Sequence, residues 1–241
     1  MNQRRLQPLK SRSATTYADN SGLRALVQLI PHIGGAIDTL LAGKGAKIQQ
    51  DRLDSFLNKL DQRIKMIETK SPVFWSAESE ELYDFFLMAL TDAIRIRSSK
   101  KREFLAILVA NQVVRPRAWM QAEAAERMLA SLEEFHIEVL LEVSNAPQVS
   151  GVWSGARVVT INRSDDPPAI SPAYLPYKLP GYQPTILKLA CAELVGKGLL
   201  LDEGIGRLGV RSMTYFVISD LGKWFLEWLR TEPSSCEHSS V

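Results

Sequence analysis

The chain has few residues of the types that perform enzymatic chemistry. Its three histidines, His32, His136 and His238, lie far apart, and none belongs to the H-E-x-x-H pattern of a zinc hydrolase. We interpret His136 as a helix-surface or cap residue rather than as a general base. Ser154 lies in GVWSG, which differs from the G-x-S-x-G turn that exposes a nucleophilic serine. The sequence therefore predicts no catalytic residue.

Metal and redox chemistry have equally little support. Of the two cysteines, Cys191 lies in an apolar helix-like segment and Cys236 in a polar stretch, so their positions indicate neither a disulfide framework nor a metal site. Asp165 and Asp166 precede two prolines, where aspartates usually form turns. We expect no metal, no cofactor and no enzymatic activity. The cysteine usage favours a reducing compartment, and we expect a cytoplasmic protein.

Charge is concentrated in one short stretch. The chain has 241 residues, of which 46% are hydrophobic, and its formal net charge is only +2, so a surface for nucleic acid or lipid requires local clustering. RIRSSKKR supplies five cations within eight residues: Arg95, Arg97, Lys100, Lys101 and Arg102. Such a cluster could bind phosphate backbones, anionic lipid or an acidic partner. The alternative is a solvated helix junction paired with nearby carboxylates.

Residues 29–50, LIPHIGGAIDTLLAGKGAKIQQ, change abruptly from apolar to charged. They do not form a phosphate loop, because the lysine of AGKG is followed by glycine and Asp38 occupies the position of the first glycine. A membrane span needs roughly 20 largely apolar residues. The run 26–42 is shorter and is interrupted by polar residues and Pro31. We interpret the segment as a proline-broken, glycine-capped helix that begins an α domain.

An alternative interpretation of this segment is conditional membrane insertion. A membrane-active toxin or antiviral-defence effector could keep residues 23–45 buried and insert them into a membrane after release. The basic residues of the N-terminal tail, residues 1–22, would favour anionic lipid. The candidate membrane residues are Leu29, Ile30, Ile33, Gly34, Gly35, Ile37, Leu40 and Leu41.

Apolar residues at three- and four-residue steps predict helices over much of the N-terminal half. Four segments fit this pattern: KIQQDRLDSFLNKLDQRIKMIE, ELYDFFLMALTDAIRIR, KKREFLAILVANQVV and RAWMQAEAAERMLASLEEF. We predict a disordered basic tail over residues 1–22 and a helical domain over 23–130 whose short connections suit antiparallel neighbours.

The character of the chain changes after residue 143. Six of the twelve prolines fall between residues 167 and 184, which predicts an irregular insertion over 145–184 with one short strand at 156–161. A helix, a strand, the glycine-rich turn DEGIGRLG, the returning strand MTYFVI and a final helix follow, and Ser219 or Asp220 caps the last helix. Residues 231–241 are expected to be a flexible tail.

This order of elements resembles a winged-helix domain over residues 131–230. SLEEFHIEVLLEV, with His136, Val139 and Leu140, is similar to the first helix of that family. The other residues of the resemblance are Leu194, Gly198, Leu199, Leu200, Tyr215, Val217, Ile218, Leu221 and Gly222. The N-terminal helical part resembles a type found in bacterial proteins of unknown activity. The expected fold is mainly α: an N-terminal helical bundle and a C-terminal α+β winged-helix domain with a proline-rich insertion.

The resemblance implies DNA binding or protein contact, because winged helices serve both purposes. A DNA reader would place helix 185–197 in the major groove, but its exposed polar residues, Thr185, Lys188, Glu193 and Lys197, include only two cations. The candidate nucleic-acid-binding residues are Arg95, Arg97, Lys100, Lys101, Arg102, Lys188, Lys197, Arg207 and Arg211.

Together these patterns favour a non-enzymatic protein that binds macromolecules in a regulatory or assembly role. We expect a protein partner, and nucleic-acid binding through the winged helix and the basic cluster is the most concrete form of the hypothesis. The alternatives are a membrane-active effector and a protein-interaction subunit of a larger complex.

Overall fold

The computed structural model describes residues 46–68, 80–114, 117–149, 157–161, 173–205 and 211–230. These residues form eight helices and four strands, and the strands belong to one small sheet in the C-terminal part. They divide into two compact units, residues 46–130 and residues 131–230. The described chain is mainly helical, as the sequence predicts.

The first unit consists of four helices: α1 (Ala46–Glu68), α2 (Glu80–Arg95), α3 (Ser99–Val114) and α4 (Trp119–Ala130). α3 packs against each of the other three helices, and every residue from 104 to 110 is buried. A helix that is apolar on all sides must be covered by its neighbours. α3 is therefore the central element of this unit.

α1 and α2 each bury one face. On α1 the buried residues recur at steps of three and four: Leu53, Phe56, Leu57, Leu60 and Ile64. Ile48 also fits the apolar pattern in the sequence but is 59% exposed. It precedes Leu53 by five residues, and a rotation of about 100° per residue places it on the opposite side of the helix.

The second unit begins with α5 (Glu134–Asn145), β1 (Val158–Thr160), β2 (Ala173–Tyr174) and the short helix α6 (Leu175–Lys178). It continues with α7 (Pro184–Gly196), β3 (Leu200–Asp202), β4 (Tyr215–Ile218) and α8 (Asp220–Leu229). The strand order is β2-β1-β4-β3. β4 pairs antiparallel with β1 and β3, whereas β2 pairs parallel with β1. α5 packs against β4, α7 and α8.

Regular structure occurs within the proline-rich region, where the sequence predicts only one strand. β2 lies at an edge of the sheet, where proline nearby removes no ladder hydrogen bond from a central strand. α6 has Pro176 in its first turn, where the missing N–H has no intrahelical partner to lose. The proline-rich region therefore contains regular structure, but its elements are short: β2 has two residues and α6 has four.

The S-D-L-G stretch closes the second unit. Ser219 is the N-cap of α8: its Oγ accepts a hydrogen bond from Gly222 N at 2.9 Å and donates to Gly198 O at 2.6 Å. Gly222 lies against the backbone, and a Cβ there would be 2.3 Å from Leu199 O. Gly198 has φ of 72°, which only glycine adopts without strain. The N-cap hydrogen bonds explain the serine at position 219, and the close backbone contact and the positive φ explain the glycines at 222 and 198.

Candidate functional site

α7 is the element through which a winged helix would meet a partner. Pro184 is its first residue, and Leu187, Ala190, Cys191 and Leu194 fill its buried side. The opposite side faces solvent with Thr185, Lys188, Leu189, Ala192 and Gly196, which we call the α7 outer face. Leu189 is 47% exposed. The outer face is thus mostly small or apolar.

Charge on and around α7 is balanced. Lys188 is the one cation of the α7 outer face. The side chain of Glu193, on the same helix, is 45% exposed. Lys197, a half-buried residue past the helix end, donates from Nζ to Ser131 Oγ at 3.2 Å. The sequence from 131 to 230 contains nine Lys and Arg against eleven Asp and Glu, a formal charge of −2. A duplex-binding domain is instead strongly basic on one face.

His136 joins the start of α5 to α7. It is 2% exposed, and its Nδ1 accepts a hydrogen bond from the backbone N–H of Glu133, the N-cap residue, at 2.9 Å. His136 thereby replaces the Glu or Gln of a capping box. An accepting Nδ1 places the proton of the neutral ring on Nε2. The sequence predicts a helix-surface or cap residue at this position; His136 is a cap residue, and it is buried.

The other ring nitrogen faces Glu193. His136 Nε2 lies 2.7 Å from Glu193 Oε2, although the contact is poorly aligned for a hydrogen bond. Burial lowers the pKa of His136, which overcomes the opposite influence of Glu193 and Glu133, while Lys197 lowers it further. The neutral ring is therefore the favoured form. This geometry supports a structural link between α5 and α7.

β3 and β4 form a hairpin in the region where the sequence resemblance predicts a wing. Asp202 lies at its base, where Oδ1 accepts from Gly204 N at 2.8 Å and Oδ2 accepts from Met213 N at 2.6 Å. One carboxylate thus fastens both sides of the hairpin. Arg211 is exposed, whereas the predicted contact Arg207 lies outside the described residues.

The five cations of the RIRSSKKR cluster have different environments. Lys101 and Arg102 are 6% and 8% exposed, and both donate to backbone carbonyls, Lys101 Nζ to Ala130 O at 2.9 Å. They are unavailable to a ligand on the surface, and we withdraw them from the candidate nucleic-acid surface. Arg95, Arg97 and Lys100 are exposed.

Comparison with known proteins gave no family. No protein-family model, curated protein or solved structure matches this chain.

The predicted membrane segment, residues 23–45, lies outside the described residues, and so do Leu29, Ile30, Ile33, Gly34, Gly35, Ile37, Leu40 and Leu41. Among the helices that the structure describes, none combines the length and the apolar character needed to cross a membrane. Within the same residues, no group of three or more His, Cys, Asp or Glu side chains is placed to bind a metal ion. Cys191 is buried, which raises the pKa of its thiol to about 12. A thiol of that pKa is a poor nucleophile.

The structure also contains a buried carboxyl group that the sequence did not predict. Glu126 on α4 is 1% exposed, and burial together with a hydrogen bond to Asp92 on α2 raises its pKa to about 8. A signal was present in the sequence, because Ala122 and Leu129 lie four residues before and three residues after Glu126 and share its face of α4. The burial arises from the packing of α4 on α2 and α3.

Proposed function

We propose that the protein is a non-enzymatic binding protein whose C-terminal unit is a winged-helix-type domain that contacts a protein partner through the α7 outer face. The order of elements supports the domain type. α5, β1, α6, α7, β3 and β4 follow the order helix, strand, helix, helix, strand, strand, and β1, β4 and β3 are consecutive neighbours in the sheet. β2 and α8 are additions to that pattern.

The composition of the α7 outer face is the observation on which the proposal rests. Leu189, Ala192 and Gly196 lie on the solvent side at positions that a helix in the major groove would need for polar side chains. Small and apolar side chains of this kind allow close packing against another protein and release water when they are covered.

Electrostatics favours protein over duplex DNA at this helix. Lys188 is the only cation of the α7 outer face, and the unit from 131 to 230 has an excess of acidic residues. Because release of counterions from phosphates supplies most non-specific DNA affinity, one exposed cation provides little of it.

Site-specific cross-linking tests the proposal. The full-length protein is expressed in its native host with p-benzoylphenylalanine replacing Leu189 or Ala192, and a third variant has the same group at Lys223, an exposed residue of α8. We expect one and the same protein adduct from positions 189 and 192 and none from 223. Absence of an adduct at 189 and 192 contradicts the proposal. So does duplex DNA binding by the purified protein that Lys188→Gln abolishes.

A further inference from the structure

Two arginines from different helices meet at the C-terminal end of α2. Arg52 Nη1 donates to Ile94 O at 2.9 Å and to Arg95 O at 3.3 Å. Arg102 Nη1 donates to Ile96 O at 2.8 Å and to Arg97 O at 3.1 Å. These carbonyls have no partners within the helix, and cations are favoured near them. Both guanidinium groups are therefore fixed at the junction of α2 and α3.

These hydrogen bonds leave most of the positive charge uncompensated. The acceptors are carbonyl oxygens, whose helix dipole offsets only about half an elementary charge. Arg102 is 8% exposed, and burial together with the charge of Arg52 lowers its pKa. Two guanidinium groups thus stand close to each other at one helix end.

Two carboxylates close to the junction in the chain contact other residues. Asp92, one turn before the end of α2, hydrogen-bonds with Glu126. Glu103, next to Arg102 in the chain, forms an ion pair with Lys59 at 2.8 Å. Residues 94–102 contain five cations and no carboxylate, so the junction has a local excess of positive charge.

Arg95 and Arg97 project from the same junction into solvent. In the part of the chain that the structure describes, neither forms an ion pair with a carboxylate. Their planar guanidinium groups suit the paired oxygens of a phosphate. Fixed positive charge behind two exposed arginines is the arrangement that attracts a phosphate backbone.

We propose that the α2–α3 junction binds the phosphate backbone of a nucleic acid, with Arg95 and Arg97 as contacts and Arg52 and Arg102 as a fixed positive field. A membrane surface is less suited to the junction. Between residues 80 and 113, no described side chain is at once large, apolar and exposed. This region therefore offers no side chain that would enter the acyl layer of a membrane. The binding is independent of sequence, because it involves phosphates rather than base edges. It is also independent of the function proposed for α7.

Fluorescence anisotropy with the full-length protein tests this inference. The probes are a mixed-sequence duplex DNA and a single strand of the same length, each titrated across a series of salt concentrations. We expect Arg95→Gln with Arg97→Gln to weaken binding about tenfold at low salt. The slope of log K against log salt should fall by about 2, one phosphate contact for each arginine.

A matched variant distinguishes this site from α7. Lys188→Gln with Lys223→Gln removes the same charge from two exposed lysines of the other unit and should leave the affinity nearly unchanged. Arg95→Lys with Arg97→Lys should retain the salt slope, because the charge is kept. Circular dichroism verifies the fold of each variant. The inference is overturned if the wild-type protein binds neither probe at low salt, if the two double Gln variants lose affinity equally, or if the arginines are required only for binding to phosphatidylserine vesicles.

Discussion

His136 Nε2 and Glu193 Oε2 lie 2.7 Å apart and connect the first turn of α5 with the exposed side of α7. The opposite ring nitrogen accepts the backbone N–H of Glu133. A second proton on the ring would bind Nδ1 and break the hydrogen bond that this nitrogen accepts from Glu133 N–H. Acid is therefore expected to loosen the attachment of α5, even though Glu193 favours the charged ring.

The acid sensitivity of His136 is testable by unfolding. Its folded pKa is lowered, so the unfolded chain binds the additional proton first, and stability is lost as the pH falls below the ordinary value near 6.5. His136→Gln keeps a side chain that fits the capping box but does not titrate. We expect urea unfolding between about pH 5 and pH 7 to depend less on pH in this variant than in the wild type. Equal pH dependence in the two proteins would contradict the assignment.

Glu193→Gln tests the partner of the ring. Removal of the carboxylate withdraws an influence that raises the pKa of His136, so the pKa should fall further. The chemical shift of the ring protons, followed by NMR across the acid range, measures it directly. Glu142→Gln on α5 is a suitable control, because Glu142 is absent from the groups that influence His136. An unchanged or higher pKa in Glu193→Gln would show that the carboxylate does not contact the ring in solution.

Glu126 gives the opposite dependence on pH. The carboxyl stays protonated up to about pH 8 in the folded protein but ionises near 4.5 when unfolded, so stability decreases as the pH rises between these values. Glu126→Gln is expected to remove this slope and to be more stable than the wild type at about pH 9. Urea unfolding at pH 6 and pH 9 provides the measurement. Glu123→Gln, a change of a half-buried residue on the same helix, should behave like the wild type.

Gly222→Ala should destabilise the second unit strongly. The new Cβ would approach the carbonyl oxygen of Leu199 to 2.3 Å, and a backbone atom cannot move aside as a side chain can. We expect a loss of about 2–4 kcal/mol in the free energy of unfolding. Gly196→Ala in α7 is the matched control, because a Cβ added at Gly196 would meet no atom within 4 Å beyond its own helix backbone. That change should be neutral or slightly stabilising. Similar losses for both variants would disprove the close-approach explanation.

Asp202 should control the opening of the β3–β4 hairpin. Asp202→Ala removes the acceptors for Gly204 N and Met213 N, at a cost of about 1–3 kcal/mol. Hydrogen exchange should accelerate at these two amides while the amides of α5 remain protected. Unchanged exchange at Gly204 would mean that the carboxylate does not fasten the turn.

The sequence predicted the elements whose pattern is local. The apolar steps of α1 and α2, the alternating strand β4 and the N-cap Ser219 are visible within a few residues. The contact of His136 with Glu193 was not predictable, because residues distant in sequence meet only when α5 packs on α7. The burial of Lys101 and Arg102 was missed for a related reason. Five neighbouring cations look alike in sequence, and the carbonyl acceptors of Lys101 and Arg102 lie at the C-terminal ends of α4 and α2, which approach α3 only in the folded unit.

The central position of α3 has a consequence for the order in which the first unit loses structure. Residues 104–110 are all buried, and the helix that contains them packs against the three other described helices of the unit. We expect the amides of these residues to exchange only when the whole unit opens, so their exchange rates should report its global free energy of unfolding. A partner or nucleic acid that binds this unit would be detected there as slower exchange, far from the residues it touches.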